Sequence, residues 1–287
     1  MANLSGSAPG RAVLLAAVLV LTVLPARAVE PGRREFAAGD FETARLLARE
    51  AGSGEGFALA CQAGLVLGGY FEKGAAAVRA LHGALEDCAR SIASGAGRAD
   101  AHINYAIALG FEAERLGSRT YASASRRLME EAIARFPKIA FAHAAYAAWH
   151  AAAAERGFLA KAALGASESA ARDEFETALA LQADNFSVNY QALRFFADGG
   201  AKDRDRAARL AARLLGELRP KDRFEALLRE RAQEIAEALA TQDKKAVAAA
   251  LQATEPFGGI EKERAAPSFP PPFLTYAGVD AAMEASK

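Results

Sequence analysis

The side chains best suited to chemistry in this chain are aromatic and imidazole groups that recur in three short runs: Asn104-Tyr105, Tyr146 with Trp149 and His150, and Asn189-Tyr190. His143 and His150 are seven residues apart, close to two helical turns, so both can face one groove with Tyr146 between them. That arrangement suits an anion or metal. Seven residues also span about 10 Å along a helix axis, too far for two imidazoles to share one ion unless a third donor such as His102 converges from another helix. The alternative is packing, in which tyrosine and tryptophan at helical spacing bury their rings between helices and bond their polar tips at the edge. The candidate partner-binding residues are therefore Asn104, Tyr105, Tyr146, Trp149, His150, Asn189 and Tyr190. No metal site and no cofactor is assigned.

Signatures of catalysis are missing. The chain has no His-Glu-x-x-His, no Gly-x-Ser-x-Gly, no phosphate-binding loop and no Cys-x-x-Cys, which points away from an enzyme. Gly52-Ser53-Gly54-Glu55-Gly56 follows a helical pattern rather than a strand and reads as a flexible connector. Arg126, Arg127, Arg204, Arg206 and Arg209 alternate with Glu130, Glu131, Asp203 and Asp205. They read as a solvated face laced by ion pairs, with a carboxylate-binding groove as the other possibility. The 287 residues carry 35 basic and 35 acidic groups, a balance that offers no electrostatic footprint for nucleic acid.

Positioning begins with the compartment. Arg11, the apolar-dominated run Ala12 to Leu24, Pro25 and the small-x-small Ala26-Arg27-Ala28 have the order of a secretory signal peptide, residues 1–28, with the mature chain starting at Val29. The apolar run is short of the about 20 residues of a spanning helix, so an uncleaved anchor is the lesser alternative and no stable membrane insertion is expected. High alanine and arginine usage suggests a GC-rich bacterial genome, and with the leader this makes the expected location periplasmic. In that oxidising setting Cys61 and Cys88 form either a disulfide or a pair of buried small hydrophobes. Helices over 57–71 and 74–92, joined at Glu72-Lys73, would place them about 6 Å out of level, near the limit for a bridge.

Between residues 35 and 255 one unit recurs: a pair of alanine-rich amphipathic helices closed by a turn. Gly39-Asp40-Phe41 leads into Ala44, Ala48 and Ala51. Asp100, read as an N-cap, leads through Leu109-Gly110 to a second helix from Ser125 to Phe136. Phe141 to His150 pairs with Ala171 to Leu181, and Ser187 to Asp198 pairs with a helix carrying Ala208, Ala212 and Leu215 on one face. A last pair, near 222–240 and 244–253, reads as a polar cap on an exposed core. Residues 256–287 change grammar to a Pro-rich tail with Phe269-Pro270-Pro271-Pro272-Phe273, whose aromatic rings are expected to pack on the repeats.

The spacings of Ala132 with Pro137, of Ala171-Phe175-Ala178 with Ala183, and of Ala208-Ala212-Leu215 with Pro220 resemble those of the tetratricopeptide repeat (TPR). The distances Pro137 to Ala183 and Ala183 to Pro220 exceed the consensus repeat, so insertions are expected. The resemblance implies an all-α fold, a right-handed superhelix (α-solenoid) of about four to five TPR-like helical hairpins over 29–255, with a concave groove lined by the first helix of each pair. It also implies a non-enzymatic periplasmic scaffold or adaptor that binds a protein or peptide partner there. A weaker similarity, to the TPR-type accessory component of tripartite periplasmic transporters, implies a solute-binding or coupling role instead.

Overall fold

A computed structural model describes residues 30–156, 158–270 and 274–279; the expected signal peptide at 1–28, Pro271-Pro272-Phe273 and the end of the chain lie outside the described residues. The described chain is helical with no strand. In order it forms α1 (Arg33–Ala38), α2 (Phe41–Glu50), α3 (Gly54–Val66), α4 (Gly74–Ala93), α5 (Ala99–Leu116), α6 (Arg119–Arg135), α7 (Ala140–Glu155), α8 (Phe158–Leu164), α9 (Glu168–Leu181), α10 (Phe186–Asp198), α11 (Ala201–Gly216), α12 (Arg223–Ala240) and α13 (Lys244–Ala253). A π-turn (Leu67–Phe71) prolongs α3, and a 3-10 turn (Ile260–Glu263) follows α13.

Side-chain caps set most of the helix starts. Asp40, Ser53, Ser118, Ser167, Asn185, Asp222 and Asp243 each accept a backbone N–H from the first turn of the helix that follows. This corrects three expectations. Gly52 to Gly56 is not a connector: Ser53 starts α3 there, and a Cβ on Gly56 would lie 2.3 Å from the Ala48 carbonyl oxygen, so the glycine serves close packing. Ser118 starts α6 ahead of the expected Ser125. The residue before α5 is Arg98 rather than Asp100, which lies in the first turn and chelates the Arg98 guanidinium at 2.6 Å.

Consecutive helices pack on one another except at α8, which rests on α7 and α6 while α9 packs on α7; α3, α5, α7, α10 and α12 also touch in that order, forming one continuous layer. Small residues permit the approach: Ala44, Ala84, Ala101, Ala144 and Ala171 are all fully buried. The inserted α8 accounts for the long stretch between Pro137 and Ala183. On α9 the stripe Ala171, Phe175, Ala178 is buried as the repeat pattern requires, but on α11 it is Ala207, Leu210, Ala211 and Leu214. The expected Ala208, Ala212 and Leu215 sit one residue out of register, with both alanines exposed.

The Cys61–Cys88 disulfide is formed, with Cα atoms 5.1 Å apart and both residues fully buried. The expected mismatch vanishes because Glu72 and Lys73 are both extended. At about 3.3 Å per residue they carry the chain outward before α4 turns back, so α4 needs the extra residues to regain the level of Cys61.

The final pair does not simply cap an open end. α12 packs against α1, a Cβ on Gly39 would collide with the Arg223 side chain, and Tyr70 of the π-turn meets Phe224 with ring centroids 5.3 Å apart. The Arg231 guanidinium covers the other side of Tyr70 at 4.6 Å. The segment after α13 also returns to the start. The Phe257 N–H donates to the Gly69 carbonyl at 2.9 Å, and its ring lies so close to Gly68 that a Cβ there would be 2.6 Å away.

Residues 256–270 and 274–279 are therefore laid onto the helices, as expected of the tail's aromatic rings. Phe257, Phe269, Tyr276 and Val279 are buried. The Tyr276 hydroxyl lies 3.2 Å from the His102 carbonyl and 3.1 Å from that of Leu128. Arg115, fully buried, donates to Glu112 at 2.7 Å and to the carbonyls of Glu263, Ala266 and Pro267. Glu112 also accepts the Phe269 N–H at 2.9 Å. A buried ion pair whose remaining donors are all satisfied avoids most of the desolvation cost of isolated charges.

Candidate functional site

The continuous helix layer lines a half-open cavity of about 800 Å³. Its wall follows from helical periodicity: Asn104, Ile107, Phe111 and Glu114 form one stripe of α5, and Phe141, Ala144, Ala145, Ala148 and Ala152 form one stripe of α7. α3 adds Leu65 and Val66, α10 adds Gln191, Arg194 and Phe195, and α12 adds Leu228. The meeting of the chain's two ends contributes Tyr70, Phe224 and Phe257. The space exists because α7 places alanine where a larger apolar side chain would fill it.

Of the residues singled out from sequence, Asn104 and Trp149 line this cavity. The others do not. Tyr105 and Tyr190 are fully buried between helices, and Tyr105 packs on Tyr276 of the C-terminal segment. The Tyr146 hydroxyl donates to Glu130 at 2.7 Å. His150 is turned to the Ser167 N–H at 3.3 Å, and burial, then the nearby Arg126 charge, lowers its pKa. Asn189 donates from Nδ2 to the carbonyls of Ala183 and Asn185, each at 2.8 Å, and so closes the turn before α10. Adjacent helical residues point about 100° apart, so an Asn-Tyr pair cannot aim both side chains at one groove.

The histidines do not converge. His143 lies 2.6 Å from a Glu174 oxygen, while His102 meets Arg135 and the Tyr276 ring. Three arginines of α6 and α11 are tied in place: Arg126 to Glu130 at 2.9 Å, Arg206 to Glu176, and Arg204 to the Gly199 carbonyl. None of these three lines the cavity, whereas Arg119, at the start of α6, does. Among the described residues no group of three or more His, Cys, Asp and Glu is placed to hold a metal ion.

Sequence reading missed the carboxylates of the cavity. Glu114, Glu155, Asp198 and Glu255 line it near the ends of α5, α7, α10 and α13, while Asp100 and Glu225 line it near the starts of α5 and α12. Glu114 and Glu155 have pKa values raised first by burial; in Glu155 the charges of Asp198 and Glu255 add to this, and in Glu114 those of Glu255 and Glu261. The available signal was the α5 stripe of Asn104, Ile107 and Phe111, which continues to Glu114.

No helix among the described residues is long and apolar enough to cross a membrane. Comparison with protein-family models, curated proteins and solved structures finds no match for this chain.

Proposed function

We propose that the chain is an exported, non-enzymatic binding protein, a right-handed superhelix of about four to five TPR-like hairpins whose interior holds an elongated, mainly apolar solute. In that role it is the accessory solute-binding or coupling component of a tripartite periplasmic transport system. The observation that carries this reading is the cavity of about 800 Å³ walled by the first helix of successive pairs. That volume falls in the range of about 300–1,000 Å³ of small-molecule sites. The contact of Tyr70 with Phe224 closes part of the cavity's wall, which a groove open along its whole length would lack.

A scaffold or adaptor holding a protein or peptide segment in the same groove is the second reading. It is favoured by Gln62, Asn104 and Gln191, amide side chains on three helices of the wall that can bond to an extended backbone. Trp149, the single tryptophan, reports on both because it lines the cavity. Titration with decanol, a neutral solute that fits the space, is expected to shift and saturate its emission. Silence toward decanol, with a saturable response to unstructured peptides, would replace the solute reading by the scaffold. Export is checked separately by sequencing the N-terminus of the mature protein, with Val29 expected first.

A further inference from the structure

The carboxylates near the C-terminal ends of the cavity helices stand where helix electrostatics disfavours them. α7 ends on Glu155, α10 ends on Asp198, Glu255 follows α13 by two residues, and Glu114 is in the last turn of α5. A helix C-terminus carries about half a negative charge from its unpaired carbonyls, and cations are favoured there. Yet α7, α10 and α13 have no basic residue in their last turn. The single base in the last turn of α5, Arg115, is turned away to the C-terminal segment. Four helix ends and four carboxylates thus gather at one mouth of an apolar cavity.

Few cations answer them. Arg156 pairs with Glu114 at 3.3 Å, leaving Glu155, Asp198 and Glu255. Arg194 reaches the same mouth but donates to the Thr254 hydroxyl at 2.7 Å and the Leu251 carbonyl at 3.2 Å. Arg119 lies at the exposed start of α6, and the charges acting on Glu155 are Asp198, Glu255, Arg194 and Glu114. Glu155, Asp198 and Glu255 each keep exposed surface at the mouth, Glu155 while partly desolvated by the concave wall around it, so an entering group can reach them. Deeper in, the wall turns apolar and aromatic, with Phe111, Trp149, Phe195 and Phe257.

We infer that the cavity selects a cationic amphiphile: an apolar chain or ring system lying along the α7 alanines, with one ammonium group held among Glu155, Asp198 and Glu255 at the mouth. This rests on the solute-binding reading and names the chemical class of the solute. The absence of a metal-competent donor cluster among the described residues, together with the length of the apolar wall, makes an organic cation the fitting occupant. Ion pairing by exposed carboxylates is modest singly. Three of them, reinforced by helix ends and facing a low-dielectric wall, act together.

The test compares decylammonium, decanol and decanoate, equal in chain length and different in head group, by Trp149 fluorescence and calorimetry on the full mature chain. Decylammonium is expected to bind about tenfold tighter than decanol and decanoate more weakly than either, a preference that shrinks as salt rises to about 0.5 M. In the double variant Glu155→Gln/Glu255→Gln the about tenfold preference for decylammonium over decanol should vanish. A thermal melt verifies that the variant is folded. Equal binding of ammonium and alcohol, or a preference that survives the double substitution, overturns charge selection while leaving the cavity reading intact. Failure of all three to bind overturns that reading and this inference with it.

Discussion

The Tyr70 ring meets Phe224 nearly edge-on, 5.3 Å between centroids, and this contact joins the α3–α4 pair to the α12–α13 pair. Tyr70 reaches so far because the π-turn at Leu67–Phe71 carries it out from the end of α3 toward α12. Burial then raises the pKa of its hydroxyl well above the ordinary tyrosine value. Phe224→Ala removes the partner ring from a half-buried position. The expected cost is about 2 kcal/mol, below the about 3–5 of a fully buried phenylalanine. Decanol affinity should fall by more than the loss of folded protein explains, because the cavity opens; thermal melts run beside Trp149 titrations separate the two effects.

Ala152 lines the cavity and is exposed within it. Replacing it by phenylalanine fills space without displacing packed neighbours, so stability should stay within about 0.5 kcal/mol of the parent. Solute binding should drop at least about tenfold, since a ring occupying the cavity competes with any ligand. An Ala152→Phe protein that binds decanol normally would locate the site elsewhere.

Much of this architecture was readable from spacing alone. Small residues at Ala44, Ala48, Ala171 and Ala178 reported helix approach correctly because each is fully buried in a helix interface. Counting back from Pro220 puts the stripe of α11 one residue out, because a turn ahead of a proline can lengthen without altering the buried face. The site was harder to see. Asn104 and Trp149 were found, but a cavity is defined by what is absent, and the α7 alanines that create it look the same as alanines that let helices touch. The return of the chain onto its own beginning was not legible either, since Tyr70 and Phe224 are distant in sequence and share no periodic signal.

Asn189 separates a structural role from a binding role. Its amide holds two carbonyls of the turn before α10, and the residue is fully buried away from the cavity. Asn189→Ala should destabilise the fold by about 1 kcal/mol, the loss of the amide bond that ties the Ala183 carbonyl to α10, since the Asn185 carbonyl keeps the backbone N–H of residue 189. Solute affinity per folded molecule should be unchanged. A selective loss of binding at normal stability, seen in paired urea and fluorescence titrations, would return Asn189 to the site.

The disulfide closes a loop with a sequence separation of 27, and constraining the unfolded chain to that extent is worth about 3–4 kcal/mol in the chain-entropy description. Cys61→Ser/Cys88→Ser should lower the urea midpoint accordingly. Dithiothreitol should reproduce the effect slowly, because both cysteines are fully buried. An unchanged midpoint on reduction would mean that the α3–α4 pair is held by its apolar contacts alone.

Glu112 ties the C-terminal segment to the helices and gives stability a defined pH dependence. Burial favours its neutral form, but hydrogen bonds from Arg115, His82 and the Phe269 N–H outweigh that and depress its pKa from 4.5 to about 2. The unfolded chain therefore binds this proton more readily than the native one. The native advantage is complete above about pH 4.5 and is lost as pH falls toward 2, the direction required when a folded carboxylate titrates low. At 1.36 kcal/mol per unit the full contribution is about 3 kcal/mol. Glu112→Gln should lose about that much at pH 6, and its gap to the parent should narrow to about 1 kcal/mol at pH 3, where the parent's own carboxylate is losing its advantage. Urea unfolding of both proteins across this range measures the gap, and every other carboxylate cancels in the comparison. Because Glu112 accepts from Phe269 and orients Arg115 toward Glu263, Ala266 and Pro267, limited proteolysis should cut the variant after residue 255 well before the helices unfold. A gap constant with pH, or a C-terminal segment as resistant as the parent's, would show that Glu112 does not anchor it.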